Sequence, residues 1–459
     1  MKVGDLKNYR RFFKEYTELR IQENRNVSIG IVKGNIVRNS KASNSGISAR
    51  VYRTGQWGFA SDPNINDQTI SNIIADATTN SCFLADKHSY SENVLPVRKV
   101  QSVNDFSSKK PRKSQKEKIE FLRHLDEYLV RNFKDLTSRS LFLNCLDMEK
   151  NLITSDGSLS YSMIPRTIIY LTMSVEKKGK PIELYNVYGG FGQYEDNFND
   201  LDVLQVAFNE QYEHLKKKSE GIMPDSGLKD CILDADLAGI LSHEAIGHTV
   251  EADIVMGGSI AADYLETQVA SPLITMVDFA HKAIDRNCPV PVYVDDEGTE
   301  AKDAILIHDG VLKSYMHNKE SALHFNTKPT GNARAFGFDD EPLIRMRNTA
   351  IMPGTSKLEE MINSIDDGYY LIRAGNGQAD STSEFMFGIT LGYEIKKGKI
   401  GKAIMDTTIS GVAFDMLKTV TMISDQMSWS CAGMCGKKQS IPVGMGGPAV
   451  KCKINLGGK

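Results

Sequence analysis

The sequence predicts an α+β fold. An N-terminal α/β portion is built on an antiparallel sheet, and a β-rich C-terminal domain carries one motif helix. Three observations predict it. The first 90 or so residues alternate helical and strand periodicities. Residues 138–190 read as strands. Beyond about residue 225 turn signals become dense and apolar runs short. The chain has 459 residues, which at roughly 100–200 residues per domain implies two or three domains. The expected divisions are 1–110, 111–224 and 225–459.

Hydrophobic residues make up 41% and charged residues 25%, the proportions of an ordinary folded protein; disordered, collagen-like and coiled-coil classes are excluded. Lys+Arg number 55 against Asp+Glu 58, a net charge of -3, which argues against a nucleic-acid binder. No stretch of 18 apolar residues occurs, so no membrane-spanning segment is expected. The start, Met1 to Lys7, lacks the apolar run of a secretory signal. Seven scattered cysteines suit a reducing compartment better than a disulfide framework. The expected location is cytoplasmic.

Leu6, Tyr9, Phe13, Tyr16 and Leu19 recur at helical spacing. Val27, Ile29 and Ile31 alternate as in a strand, as do Ile47, Ala49 and Val51, with turns at Gly34-Asn35 and Thr54-Gly55. A helix through Ile70, Ile73, Ile74 and Ala77 follows. Residues 95–113 read as a connector, its basic run Lys109 to Lys113 a solvated linker. Ser114 and Glu117 form a capping box for a helix that carries Ile119, Leu122, Leu125 and Leu129. Pro165 suits the start of a strand through Ile169, Leu171, Met173 and Val175. Lys178-Gly179 reads as a turn, and so does the glycine-rich stretch Tyr188 to Gly192, whose spacing is not that of a phosphate loop. A helix through Leu201, Leu204, Phe208, Tyr212 and Leu215 ends in Lys216, Lys217 and Lys218, cations that complement its dipole.

The segment Leu241-Ser242-His243-Glu244-Ala245-Ile246-Gly247-His248 carries the chemistry. It continues a predicted helix through Leu237, Ile240 and Leu241, capped near Asp234 or Asp236. Neutral imidazoles are zinc ligands, and a carboxylate beside them can serve as general base on metal-bound water. Common zinc-peptidase helices space two histidines four apart. Here they are five apart, which on an ideal α-helix separates them by about 140°. Either the spacing is accidental or the helix widens into a π-type turn, which brings i and i+5 onto one face. Gly247 would ease that distortion.

The run His-Glu-Ala-Ile-Gly-His-Thr-Val-Glu-Ala-Asp at 243–253 resembles the signature of the TldD/PmbA family of metallopeptidases. More segments fit in order: Val269 to Leu273, Val294 to Thr299, Gly331 to Ala335, Arg345 to Thr349, Gly433 to Lys437, Ile441 to Gly444, and N-terminal Gly58 to Ser61. The resemblance implies a zinc-dependent peptidase acting on unfolded or small peptides, with the metal in the β-rich C-terminal domain. It implies that His243, His248 and Cys435 are zinc ligands and Glu244 the catalytic base. The family's other branch lacks the motif and serves as a partner, so a homodimer or a heterodimer with a motif-lacking paralogue is expected. The alternative function is a non-catalytic scaffold or regulatory subunit with a structural zinc site.

Cys431 and Cys435 together with the histidines would make such a closed site; Cys431 is expected instead to be a packed thiol. Glu251 and Asp253 are either groups that orient His248 or a solvated helix end. The cluster Asp295, Asp296 and Glu297 either positions a histidine or a peptide amine, or enters a turn. His281, His308, His317 and His324 are expected in surface or packing roles. Arg334, Arg345 and Arg347 could read a substrate carboxylate, with surface ion pairing the expected role.

Overall fold

The computed structural model describes residues 6–87 and 94–457. Met1 to Asp5, read above for the absence of a signal, lie outside them. The fold is mixed α+β, as expected. Long antiparallel strands dominate the first half: β1 (Tyr16–Val32), β2 (Asn35–Arg53), β3 (Gln56–Asp62), β4 (Gln101–Asp105), β5 (Ser138–Thr154), β6 (Leu159–Lys177) and β7 (Lys180–Phe191). They form one sheet in the order β3-β2-β1-β5-β6-β4, with β7 also on β6. The sheet draws strands from both sides of residue 110 because β1 pairs with β5 along most of its length.

Hairpin turns fall where the sequence places them at Thr54-Gly55 and Lys178-Gly179, and one residue earlier than the expected Gly34-Asn35 at the first, since Asn35 already begins β2. Lys33 and Gly34, Thr54 and Gly55, and Lys178 and Gly179 each take φ above zero, the conformation of a tight two-residue hairpin turn. Helix α1 (Asp67–Ala85) is capped by Asn66 and buries Ile70, Ile73, Ile74 and Ala77. Helix α2 (Gln115–Asn132) opens with the Ser114–Glu117 capping box and buries Leu122, Leu125 and Leu129. Helix α3 (Leu201–Ser219) buries Leu204, Phe208 and Leu215.

Four local expectations are corrected. The helix expected through Leu19 is a 3-10 helix over Lys7–Phe12. Tyr16 and Leu19 belong to β1, where hydrogen bonds to β2 and β5 on both sides outweigh a helical period of five residues. The connector 95–113 contains β4, which lies parallel to the start of β6. Pro165 does not begin a strand but sits inside β6. Its carbonyl, which accepts from the Gly192 N–H, faces the edge where β4 has stopped and β7 starts, so no ladder donor is lost. The glycine-rich stretch is no turn: β7 runs through Phe191, with Gly189 and Gly190 at φ 99° and 157°.

The second half is β-rich with short helices. Strand β8 (Gly227–Leu233) lies between strands Asp367–Ala379 and Val450–Gly457. Pairing continues through Thr407–Val412 and Glu384–Lys396, which returns to Asp367–Ala379 and closes the ring. A second sheet brings Met276–Phe279, Asn348–Ile351 and Gly444–Gly447 side by side. Between the two runs the motif helix α4 (Ala235–Leu241). A Cβ at Gly239 would come within 2.8 Å of the Gly446 backbone nitrogen. Only glycine lets this helix lie directly on the strand. No helix among the described residues is long and apolar enough to cross a membrane.

Candidate metal centre

Helix α4 widens into a π-type turn over Ser242–Gly247 and then tightens into a 3-10 turn over His248–Val250. Side-chain hydroxyls donate to three carbonyls along this stretch. Ser242 Oγ donates to Ala238 O, Ser383 Oγ to Ala245 O at 3.0 Å, and Thr249 Oγ1 to Ile246 O. Gly247 serves this turn by its size rather than its freedom. Its φ and ψ of −53° and −47° are ordinary helical values, but a Cβ there would meet Met346 Sδ at 2.1 Å.

The widening turns both imidazoles to one side, with ring centroids 5.2 Å apart. Cys435, on a short strand paired with Ile441–Pro442, completes the group. One nitrogen from each of His243 and His248 and the Cys435 sulfur lie within 4.8 Å of one another. His248 Nε2 is 3.5 Å from Cys435 Sγ and 3.7 Å from Glu244 Oε2. His248 Nδ1 meets Glu251 Oε2 at 2.9 Å. His243 is fully buried, and neither ring nitrogen meets a hydrogen-bond partner at good geometry among the described residues. Orphaned buried nitrogens are costly, and a cation between the two rings and the thiolate would satisfy one of the two. Two imidazoles and one thiol are a donor set that suits zinc, and three protein ligands leave a coordination position open.

Electrostatics favour the liganding form of the thiol. Burial pushes Cys435 up, but the facing imidazoles outweigh it and hold the thiol down at about 3. Burial pushes His248 down, yet hydrogen bonds to Cys435 and Glu251 raise it to about 10. Glu244, 29% exposed, stands at the edge of the group beside His248.

The remaining candidates fall elsewhere. Cys431 donates to Gly189 O at 3.0 Å and is not part of the group. Asp253 is partly exposed and bonded to Lys437. The acidic cluster is a turn that docks on the first sheet. Asp295 accepts from the N–H groups of Glu297, Thr299 and Ala333. Asp296 pairs with Lys150 at 2.6 Å and Glu297 with Arg50 at 2.7 Å. His281 stacks on Tyr293, His317 is buried against Ser321, and His308 and His324 are exposed.

The surface role expected for the arginines is overturned. Arg334, Arg345 and Arg347 are buried. Arg347 pairs with buried Asp278 at 2.8 Å. Arg345 donates to Cys435 O and Gln439 O at 2.7 and 2.8 Å, and Arg334 to Pro442 O at 2.8 Å. From β6, Arg166 adds Cys431 O and Gly433 O at 3.0 and 3.1 Å. Guanidinium donors to carbonyls spaced along 431–442 hold the loop that presents Cys435. Arg166 carried no periodic or motif signal that separated it from surface cations, whereas Lys437 ended the fitting segment Gly433 to Lys437 but was assigned no role.

A domain model described as the PmbA/TldA metallopeptidase C-terminal domain matches residues 226–458, and one described as PmbA/TldA metallopeptidase domain 1 matches 17–81. The chain is 30% identical over 447 residues to a metalloprotease of Methanocaldococcus jannaschii, covering 95% of this chain and 96% of that one. It is 28% identical over 426 residues to a Saccharolobus solfataricus protein named zinc metalloprotease TldD homolog, covering 91% of each. The crystal structure of TldE from Thermococcus kodakarensis shares the fold, with a TM-score of 0.77 over 99% of both chains at 16% identity. The chain therefore belongs to the TldD/PmbA metallopeptidase family, as its motifs implied.

Proposed function

We propose that the chain is a zinc-dependent peptidase in which His243, His248 and Cys435 hold the metal and Glu244 moves protons. The observation that carries this reading is the convergence of three ligand atoms within 4.8 Å around a buried histidine whose nitrogens have no hydrogen-bond partner among the described residues. Zinc bound there would supply Lewis acidity toward a peptide carbonyl and acidify water. Glu244 takes a proton at its carboxylate and returns it to the leaving amine. The two histidines and the thiolate, fixed by the π-type turn and the arginine-held loop, set the position of the reaction. Unfolded or small peptides are the substrates, bound extended along a sheet edge. The metal-bearing unit is 225–459, preceded by 1–110 and 111–224. The active form is a dimer, with a second copy or a motif-lacking paralogue, that screens the site from folded proteins in the cytoplasm.

The test is elemental analysis and cleavage of an unstructured peptide by wild type, Cys435→Ala and Cys431→Ala. The expected result is zinc and activity in wild type and Cys431→Ala and neither in Cys435→Ala. Full zinc in Cys435→Ala would remove the thiolate from the ligand set, and equal loss in both variants would favour a closed structural site.

A further inference from the structure

We infer that Glu251 and Lys437 together aim His248 at the metal and tie its turn to the Cys435 loop. The inference rests on the metal reading above and adds two positioning residues to it. Glu251 is fully buried. Its Oε2 lies 2.9 Å from His248 Nδ1 and 3.3 Å from Lys437 Nζ. Lys437 Nζ donates also to Asp253 at 2.7 Å and to Ile344 O at 3.0 Å. A line of contacts thus runs from Cys435 through His248, Glu251 and Lys437 to Asp253.

The chemistry follows from the two nitrogens of His248. When a bound cation displaces the ring's second proton, a carboxylate at Nδ1 keeps the remaining proton there and leaves Nε2 as the lone pair. Nε2 is the nitrogen that faces Cys435 and Glu244. The same hydrogen bond fixes the ring plane and makes Nε2 a stronger donor. A buried carboxylate is costly unless paired, and Lys437 supplies the pairing. Lys437 follows Cys435 by two residues, so the cation that compensates Glu251 arrives on the segment that brings the thiolate. The loop therefore docks with ligand and counter-charge together.

The carboxylate is not needed to shape its own turn. The flanking backbone is held by Met316, which donates to Val250 O at 2.9 Å and accepts from the Ala252 N–H at 3.1 Å. What the side chain adds is the bond to His248.

The experiment measures zinc affinity by competition with a chromogenic chelator, and the visible spectrum of the Co2+-substituted chain. The variants are Glu251→Gln, Lys437→Met and Lys437→Arg, with Cys435→Ala as the ligand control. Glu251→Gln is expected to weaken zinc binding by about 10- to 100-fold and to alter the Co2+ bands. Lys437→Met should act in the same direction more weakly, and Lys437→Arg should restore most of the loss. Wild-type affinity and spectrum in Glu251→Gln, while Cys435→Ala loses both ions, would overturn the inference alone. So would a lowered melting temperature of metal-free Glu251→Gln with affinity and spectrum unchanged. A wild-type chain that takes up neither ion would overturn the metal reading and the inference with it.

Discussion

At the scale of single residues, Glu244 and Glu251 divide the work of two carboxylates near one histidine. Glu251 is sealed in and faces Nδ1; Glu244 is 29% exposed and lies 3.7 Å from Nε2. Exposure leaves Glu244 able to exchange protons with water and substrate. Glu244→Gln keeps its shape and removes the base. Zinc content should be unchanged and peptide cleavage should fall by at least about 100-fold; near-normal turnover would take Glu244 out of the reaction. Gly247 is decided by space. Gly247→Ala drives a Cβ into Met346, which is fully buried and has little room to move. Overpacking of this kind costs about 1–3 kcal/mol, and the displaced turn should weaken zinc binding too. Met346→Ala in the same chain should recover part of the stability, as thermal melts of the single and double variants would reveal.

At the scale of elements, the π-type turn and the 431–442 loop depend on each other. In the proposed zinc site the turn would supply two ligands side by side, and the loop the third from far along the chain. The loop has little regular structure, with only two short strands at Met434–Cys435 and Ile441–Pro442. Its shape comes from donors outside it, Arg166 on β6, Arg334 and Arg345, and from its own Lys437, which reaches out to Asp253. Arg166, Arg334 and Arg345 pair with no carboxylate among the described residues; carbonyls satisfy them instead. Arg345→Met leaves the carbonyls of Cys435 and Gln439 without that donor, at a cost of about 1–3 kcal/mol. Amide hydrogen exchange over 431–442 should accelerate in this variant, and accelerate again when zinc is stripped from it. Unchanged exchange in the loop would mean that the arginine is not what holds it.

At the scale of the whole molecule, the two halves are joined by buried charge. Arg20 on β1 donates to the carbonyls of Gly337 and Asp340 and lies 3.7 Å from Asp296. Arg50 on β2 pairs with Glu297 and lies over the Trp57 ring. Glu18 sits in the same cluster, 3.7 Å from Arg50. Burial and the nearby Glu297 raise Glu18 from 4.5 to about 7, against the pull of Arg50. A raised acid stabilises the fold through its neutral form. That contribution is complete below about pH 4.5 and is lost as the pH rises through about 7. Glu18→Gln is neutral at every pH, so its stability relative to wild type should improve between pH 4.5 and 8. The change should be on the order of 1–3 kcal/mol. Urea unfolding at both pH values measures it; a constant difference would show that Glu18 does not titrate in this window.

The sequence by itself determined what local chemistry can encode. The capping box at Ser114 and Glu117, the hairpin turns at Thr54-Gly55 and Lys178-Gly179, and the buried stripes of α1, α2 and α3 all follow from spacing within one or two turns. The five-residue separation of His243 and His248 already required either an accident or a widened helix, because an α-helix cannot turn both rings to one side. Longer strands were less legible. Helical spacing at Leu6 to Leu19 gave way to a strand because pairing partners far along the chain decide what β1 becomes. Only the tertiary structure decided which polar groups are buried. Arg334, Arg345 and Lys437 have the local signature of surface cations. They are interior because backbone carbonyls and the carboxylates of Glu251 and Asp253 reach them from segments up to 186 residues away. A buried charge is tolerated where its partners converge, and that convergence is a property of the fold, not of any stretch of the chain.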